Sequence, residues 1–149
     1  MSIRPQRFAL LLLLPCVGAC ASVSPFGGAA RPGGGISTRN GATILSGVAL
    51  TNSRGSVLAA MQGNVPNLRV RMRPQGCPEI NLRNQAPYGG PVSPIVYVDG
   101  ARAIDTCILE SLRTQDVELV EIYPMGFTSR PGYATHVHGL ILVFLLGAT

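Results

Sequence analysis

The alternation of apolar and charged residues predicts a β-hairpin near the middle of the chain. Residues 68–73 alternate apolar side chains with arginine, the period-two pattern of a strand with one buried face. A Pro-Gln-Gly turn follows, and residues 79–83 alternate again. The exposed side of this predicted hairpin carries four arginines: Arg69, Arg71, Arg73 and Arg83.

The rest of the pattern predicts strands and helices around this hairpin. Strands are expected at residues 42–45, 94–98, 117–123 and 140–146, and amphipathic helices at 53–61 and 103–113. The last strand is a continuous apolar run, too short to span a bilayer, which is typical of a strand buried on both faces. Glu118 and Glu121 are expected on a solvent-exposed strand face, and Ile104 and Cys107 on the buried face of the second helix. The predicted fold class is α+β: a small mixed β-sheet, two main helices and the hairpin.

The N-terminus has the order of a secretory signal. Arg4 and Arg7 precede the apolar residues 8–14, and small residues follow. The string Val-Gly-Ala-Cys ending at Cys20 resembles the bacterial lipobox, which implies cleavage before Cys20 and lipidation of its sulfur with fatty acyl chains such as palmitate. Two or more acyl chains attach a protein stably to a membrane. The alternative is an ordinary secreted protein in which Cys20 merely lies near the cleavage site.

This interpretation divides the chain into three parts. Residues 1–19 are the expected signal peptide, and residues 20–40 are a lipidated tether rich in Gly, Pro, Ser and Ala. Residues 41–149 are expected to form one domain, since the 149 − 19 = 130 residues left after cleavage suffice for a single core. The lipobox resemblance, with alanine following Cys20, implies attachment to the outer membrane, with the domain in the periplasm or at the cell surface.

Charge is unevenly distributed along the chain. All 12 cationic residues are arginine, and the net charge of +5 falls to 10 − 7 = +3 without Arg4 and Arg7. Residues 31–83 hold seven arginines and one acid, whereas residues 99–121 hold six acids and two arginines. Nucleic acid is not an expected partner, because only 5% of the residues are aromatic and available to stack on bases. A solvated arginine-rich strand face accounts for the basic half.

Two further cysteines, Cys77 and Cys107, lie in the expected domain. Two thiols in an oxidising compartment suggest one disulfide. The alternative is a pair of unbonded buried cysteines, and a zinc site would need two more ligands.

The order of these motifs resembles the plug domain of TonB-dependent outer-membrane receptors over about 100 residues, 43–146. The sharpest matches are Tyr-Val-Asp-Gly at residues 97–100 and Asp-Val-Glu at residues 116–118. The family usually has a Tyr-Gly-Ser-Arg-Gly-like stretch before its last strand, where this chain has Ser-Arg-Pro-Gly-Tyr at residues 129–133. The resemblance implies four candidate binding residues: Tyr97, Asp99, Arg130 and Tyr133.

The resemblance also implies a partner. A barrel that is closed by a plug has about 22 strands of ~9 to 11 residues each, and the sequence contains no such set of strands. The domain is therefore expected either to stand alone or to meet a separately encoded receptor barrel or another envelope protein. The membrane, through the lipid anchor, is the other expected partner.

Three functional hypotheses follow from these observations. The first is a non-catalytic binding module, with nutrient uptake as a candidate role, and the second is a structural envelope lipoprotein without a ligand. The third, a small metal-dependent enzyme, rests on His136 and His138, which share one side of an extended segment. No nucleophile elbow, phosphate loop or metal-ligand cluster supports an enzyme, and no cofactor or metal is expected.

Overall fold

The fold is built on a mixed six-stranded sheet with a separate two-stranded hairpin. A computed structural model describes residues 34–53, 55–83 and 93–147. The predicted signal peptide, Cys20 and most of the predicted tether lie outside the described residues. The described part contains eight strands, three short α-helices and one 3-10 helix, so the predicted α+β class is confirmed.

The strands are β1 (Ile36–Arg39), β2 (Ala42–Ser46), β3 (Arg69–Arg71), β4 (Glu79–Asn81), β5 (Ile95–Val98), β6 (Ala101–Arg102), β7 (Val117–Tyr123) and β8 (Leu140–Leu145). The helices are α1 (Val48–Thr51), α2 (Val57–Asn64) and α3 (Ile108–Ser111), with the 3-10 helix at Thr114–Asp116.

The six-stranded sheet has the order β1-β2-β7-β8-β5-β6, and β3 pairs with β4 in the separate hairpin. Among the described strands, β5 and β8 form the one parallel pair, and the other strand pairs are antiparallel. The last strand, β8, lies inside the sheet between β7 and β5, and its residues 140–143 are all buried. This confirms the prediction of a strand buried on both faces, because an apolar run without alternation fits only where both faces are covered.

The first face of the sheet supports the main core. Alternate residues of the central strands point to this face and pack against α1, α2, α3 and β4. The largest fully buried side chains of this core are Leu45, Leu50, Met61, Ile80, Leu109, Ile122 and Ile141. Ser56 begins α2 by accepting a hydrogen bond from the backbone N–H of Ala59, which satisfies one donor of the first turn. The helix predicted at 53–61 is thus observed at Val57–Asn64, and the separate short helix α1 precedes it along the chain.

The predicted helix at residues 103–113 was largely wrong. Only Ile108–Ser111 is α-helical, and β6 pairs with β5 just before it. The N–H of Ala103 continues this pairing to the carbonyl of Val96, and the Asp105 carboxylate accepts from the N–H of Cys107 in a local turn. These hydrogen bonds compete with the helical ones. Ile104, expected to be buried, is fully exposed.

The sheet also begins earlier than predicted. Ile36–Arg39, assigned to the tether, pair with β2 as the edge strand β1. All four residues of β1 are exposed, so the strand leaves no pattern of alternating burial in the sequence. Its position follows from backbone pairing rather than from its side chains.

In the described residues, every helix falls short of the length and apolar character needed to cross a bilayer.

Candidate functional site

The second face of the sheet is covered by the segment at residues 124–139, which we call the strap. This face carries a smaller core of Ala42, Tyr97, Tyr123, Leu140 and Leu142. Tyr133 of the strap packs against it, together with the partly buried Phe144 of β8. The strap therefore buries side chains that would otherwise lie on an open sheet.

An ion pair between Arg130 and the buried Glu121 links the strap to the sheet. Arg130 donates one hydrogen bond of 2.7 Å to each carboxylate oxygen of Glu121, in bidentate geometry. The Tyr123 hydroxyl donates a third, of 2.9 Å, to Oε2 of the same carboxylate. The Arg130 guanidinium also lies 4.9 Å from the centre of the Phe144 ring, within cation–π range. Glu121 is only 4% exposed, and the hydrogen bonds to both of its carboxylate oxygens compensate for the burial of its charge.

Two pKa values respond to this arrangement. The hydrogen bond to Glu121 raises the pKa of Arg130 above its ordinary value, so the guanidinium stays charged. Burial, the largest cause, raises the pKa of the Tyr123 phenol above its ordinary 10.0, and the nearby Glu121 carboxylate adds to the shift. Both shifts favour the protonated groups that donate to Glu121.

The expected exposure of Glu121 was wrong. Side chains alternate along a regular strand, but the register shift between Val117 and Leu119 interrupts this alternation, so Val117 and Val120 both face the main core. Glu118 lies at a register shift near the start of β7 and is exposed, whereas Glu121 points beneath the strap. Because of this register shift, the spacing of the two glutamates does not predict which carboxylate is buried.

The four predicted binding residues do not form one site. Tyr97 and Tyr133 meet edge to face with ring centres 5.0 Å apart, on the same face as Arg130. Asp99 instead lies in the β5–β6 turn with φ +46°, where its carboxylate accepts from the N–H of Leu145 at 2.9 Å. Each of the four therefore has an identifiable structural contact, and Tyr97, Arg130 and Tyr133 together hold the strap.

The base of the strap is closed by backbone hydrogen bonds. The N–H of His136 donates to the carbonyl of Gly126 at 2.8 Å, and Gly126 adopts φ +76°. A side chain at Gly126 would overlap the His136 carbonyl oxygen. Three exposed apolar residues flank this closure: Met125 and Phe127 are the neighbours of Gly126, and Val137 follows His136. We call these three the apolar tip.

The disulfide joins Cys77 to Cys107, with Cα atoms 4.7 Å apart. It links the chain just before β4 to the residue that precedes α3. Asp105 and the two cysteines form a group of three potential metal ligands among the described residues. The bonded sulfurs are not thiolates, however, and it is the thiolate that binds a metal.

The two histidines lie close together. Their ring centres are 5.3 Å apart, and Nδ1 of His136 is buried without a hydrogen-bond partner among the described residues. His136 also lines a cavity of about 290 Å³ with Arg102 and Asp105. Neither histidine belongs to a group of three potential metal ligands in the part of the chain that the structure describes. A tetrahedral metal site would require further ligands.

The comparisons with known proteins show a shared fold with one solved structure. The chain is similar to part of a chain in the RagAB peptide importer in the 'closed-closed' state, with a TM-score of 0.55 and 18% sequence identity. The match covers 73% of this chain and 12% of that one. No protein-family model and no curated protein matches the sequence. The shared feature is therefore the fold, and this chain corresponds to a small portion of the larger protein.

Proposed function

We propose that this chain is a plug-like, non-catalytic interaction module that binds a receptor barrel or another protein of the outer-membrane envelope. The observation that carries the proposal is the fold similarity to part of a peptide importer. The order of sequence motifs that resembles a plug domain supports the same conclusion independently.

The contacts of the candidate residues also favour binding over catalysis. Both carboxylate oxygens of Glu121 accept from Arg130, and the two tyrosine rings pack against each other. These groups are engaged in holding the strap, which gives its outer surface a defined shape. A rigid surface binds at lower entropic cost than a mobile one.

The apolar tip is the contact surface that this module would use. Phe127 is 58% exposed and lies beside the backbone closure between Gly126 and His136. Exposed aromatic side chains on a rigid support are typical of interface hot spots. Placement at the membrane would follow from lipidation of Cys20, which belongs to the same proposal.

Affinity capture from crosslinked, solubilised membranes of cells producing the tagged full-length chain tests the proposal. We expect an outer-membrane protein to be captured by the wild type and lost with Phe127→Ser. Ile36→Ser is the matched control, because Ile36 is 53% exposed and pairs with Leu45 of the main core, on the face of the sheet opposite the strap.

Capture that survives Phe127→Ser would refute the apolar tip as the contact surface. Reproducible absence of any envelope partner would refute the binding function and favour a structural role.

A further inference from the structure

The outer face of the β3–β4 hairpin presents a row of arginines. Arg69 and Arg71 of β3 are exposed, whereas Val70 between them is half-buried and pairs with the fully buried Ile80. Arg73 follows two residues later and is also exposed. We call Arg69, Arg71 and Arg73 the arginine face.

The negative charge on this face is insufficient to neutralise it. Glu79 lies opposite Arg71 in the hairpin register, but its carboxylate accepts from Arg73 at 2.7 Å. Arg69 lies opposite the neutral Asn81. Three arginines and one glutamate leave 3 − 1 = +2, and Arg69 and Arg71 form no ion pair with any described residue. The other acids of the described chain occur from Asp99 onward.

The hairpin is held firmly against the rest of the domain. The disulfide joins Cys77 to Cys107, and the Thr106 hydroxyl donates to the carbonyl of Pro78. Ile80 and Leu82 are buried in the main core. The arginine face is therefore displayed on a fixed support, so little further ordering of its backbone is needed on binding.

We propose that the arginine face binds the phosphate groups of an anionic lipid surface. Guanidinium groups match phosphate oxygens in bidentate geometry, and all cations of this chain are arginine. Arg69 and Arg71 are about 7 Å apart along the strand, so they reach neighbouring head groups. The scarcity of aromatic residues disfavours single-stranded nucleic acid as the partner.

Vesicle cosedimentation of the full-length chain tests this inference independently of any protein partner. Every protein carries Cys20→Ser, so that no acyl chain contributes to binding. One set of vesicles is phosphatidylcholine alone, and the other contains equal parts of phosphatidylcholine and phosphatidylglycerol. We expect salt-sensitive preference for the anionic vesicles, reduced roughly tenfold or more by Arg69→Gln/Arg71→Gln.

The matched control is Arg102→Gln/Arg113→Gln, which removes the same charge from two exposed arginines elsewhere. We expect this control to bind within about twofold to threefold of the parent, through its effect on net charge alone. Both double variants are compared only after urea unfolding shows the parental midpoint. If Arg69→Gln/Arg71→Gln fails this check, the single variants Arg69→Gln and Arg71→Gln replace it, and each is expected to lose part of the preference for anionic vesicles. Arg69→Lys/Arg71→Lys, which keeps the charge, is expected to retain that preference.

Three results would overturn the inference. The first is equal binding to both kinds of vesicle, and the second is equal loss in the two glutamine variants. The third is tighter binding of a single-stranded oligonucleotide with the same dependence on Arg69 and Arg71, which would assign the face to nucleic acid.

Discussion

Arg130 and Glu121 form a bidentate ion pair between the strap and the second face of the sheet, with both hydrogen bonds 2.7 Å long. The Glu121 side chain is 6% exposed and that of Arg130 is 44% exposed, so the pair is buried at the carboxylate and open to water at the guanidinium. This asymmetry means that removing the arginine leaves a buried charge, whereas removing the carboxylate leaves a cation that water can solvate.

We expect Arg130→Met to destabilise the domain by about 2 kcal/mol, which is less than for a fully buried pair because water screens the exposed arginine. Glu121→Gln/Arg130→Met should be less destabilised than Arg130→Met, since it removes the uncompensated charge. Urea unfolding measures both, with Arg113→Met as the surface control. An unchanged unfolding midpoint in Arg130→Met would show that the ion pair does not hold the strap.

Stability should fall in alkaline solution because of Tyr123. Its pKa is raised in the folded state, so above the ordinary value of 10.0 the unfolded chain releases the phenolic proton first. The stabilising contribution is complete below about pH 10 and declines as the pH rises towards the folded-state pKa. Unfolding free energies measured at about pH 8 and pH 10.5 should differ more in the wild type than in Tyr123→Phe. An identical pH dependence in both proteins would contradict this assignment.

The Cys77–Cys107 disulfide should make a large contribution to stability. It closes a loop with a sequence separation of 30 residues, for which the chain-entropy model gives roughly 3 to 4 kcal/mol. Cys77→Ser/Cys107→Ser should lower the free energy of unfolding by that amount, as should a reducing agent added to the wild type. If the reducing agent lowered the stability of the serine variant equally, the effect could not be attributed to this disulfide.

Gly126→Ala should disrupt the base of the strap. The new Cβ would overlap the His136 carbonyl oxygen, and the φ of +76° is already unfavourable for alanine. We expect a loss of more than about 2 kcal/mol in urea unfolding. Gly132→Ala separates the two causes, because Gly132 also has positive φ but open space at its Cβ position, so we expect about 1 kcal/mol. Equal losses in the two variants would mean that backbone strain, and not the overlap, is responsible.

Membrane attachment should depend on Cys20. We expect the mature N-terminus, analysed by mass spectrometry, to begin at Cys20 with a mass increase from acyl chains, and Cys20→Ser to abolish that modification. In a detergent phase separation, the Cys20→Ser protein should partition into the aqueous phase. An unmodified Cys20 in membrane-purified protein would contradict lipid anchoring.

The sequence by itself determined those strands in which the order of apolar and polar residues matches the burial of the two strand faces. Val117–Tyr123 was predicted at its observed bounds, and the central strand β8 differed by one residue at its end. The hairpin was placed from alternation alone. In each case the order of apolar and polar side chains indicates which faces of the strand are buried, because exposure of apolar groups to water is unfavourable.

The tertiary structure decided the features that depend on distant partners. Arg83, expected beside the arginine face, instead donates to the Pro124 carbonyl 41 residues away at 2.6 Å. The strap covers Glu121 and turns a residue that resembles a surface acid into a buried one. A turn after β6 replaces the first half of the expected second helix. Sequence periodicity describes the neighbours of a residue along the chain, whereas these outcomes follow from hydrogen bonds and charge compensation between segments brought together only by folding.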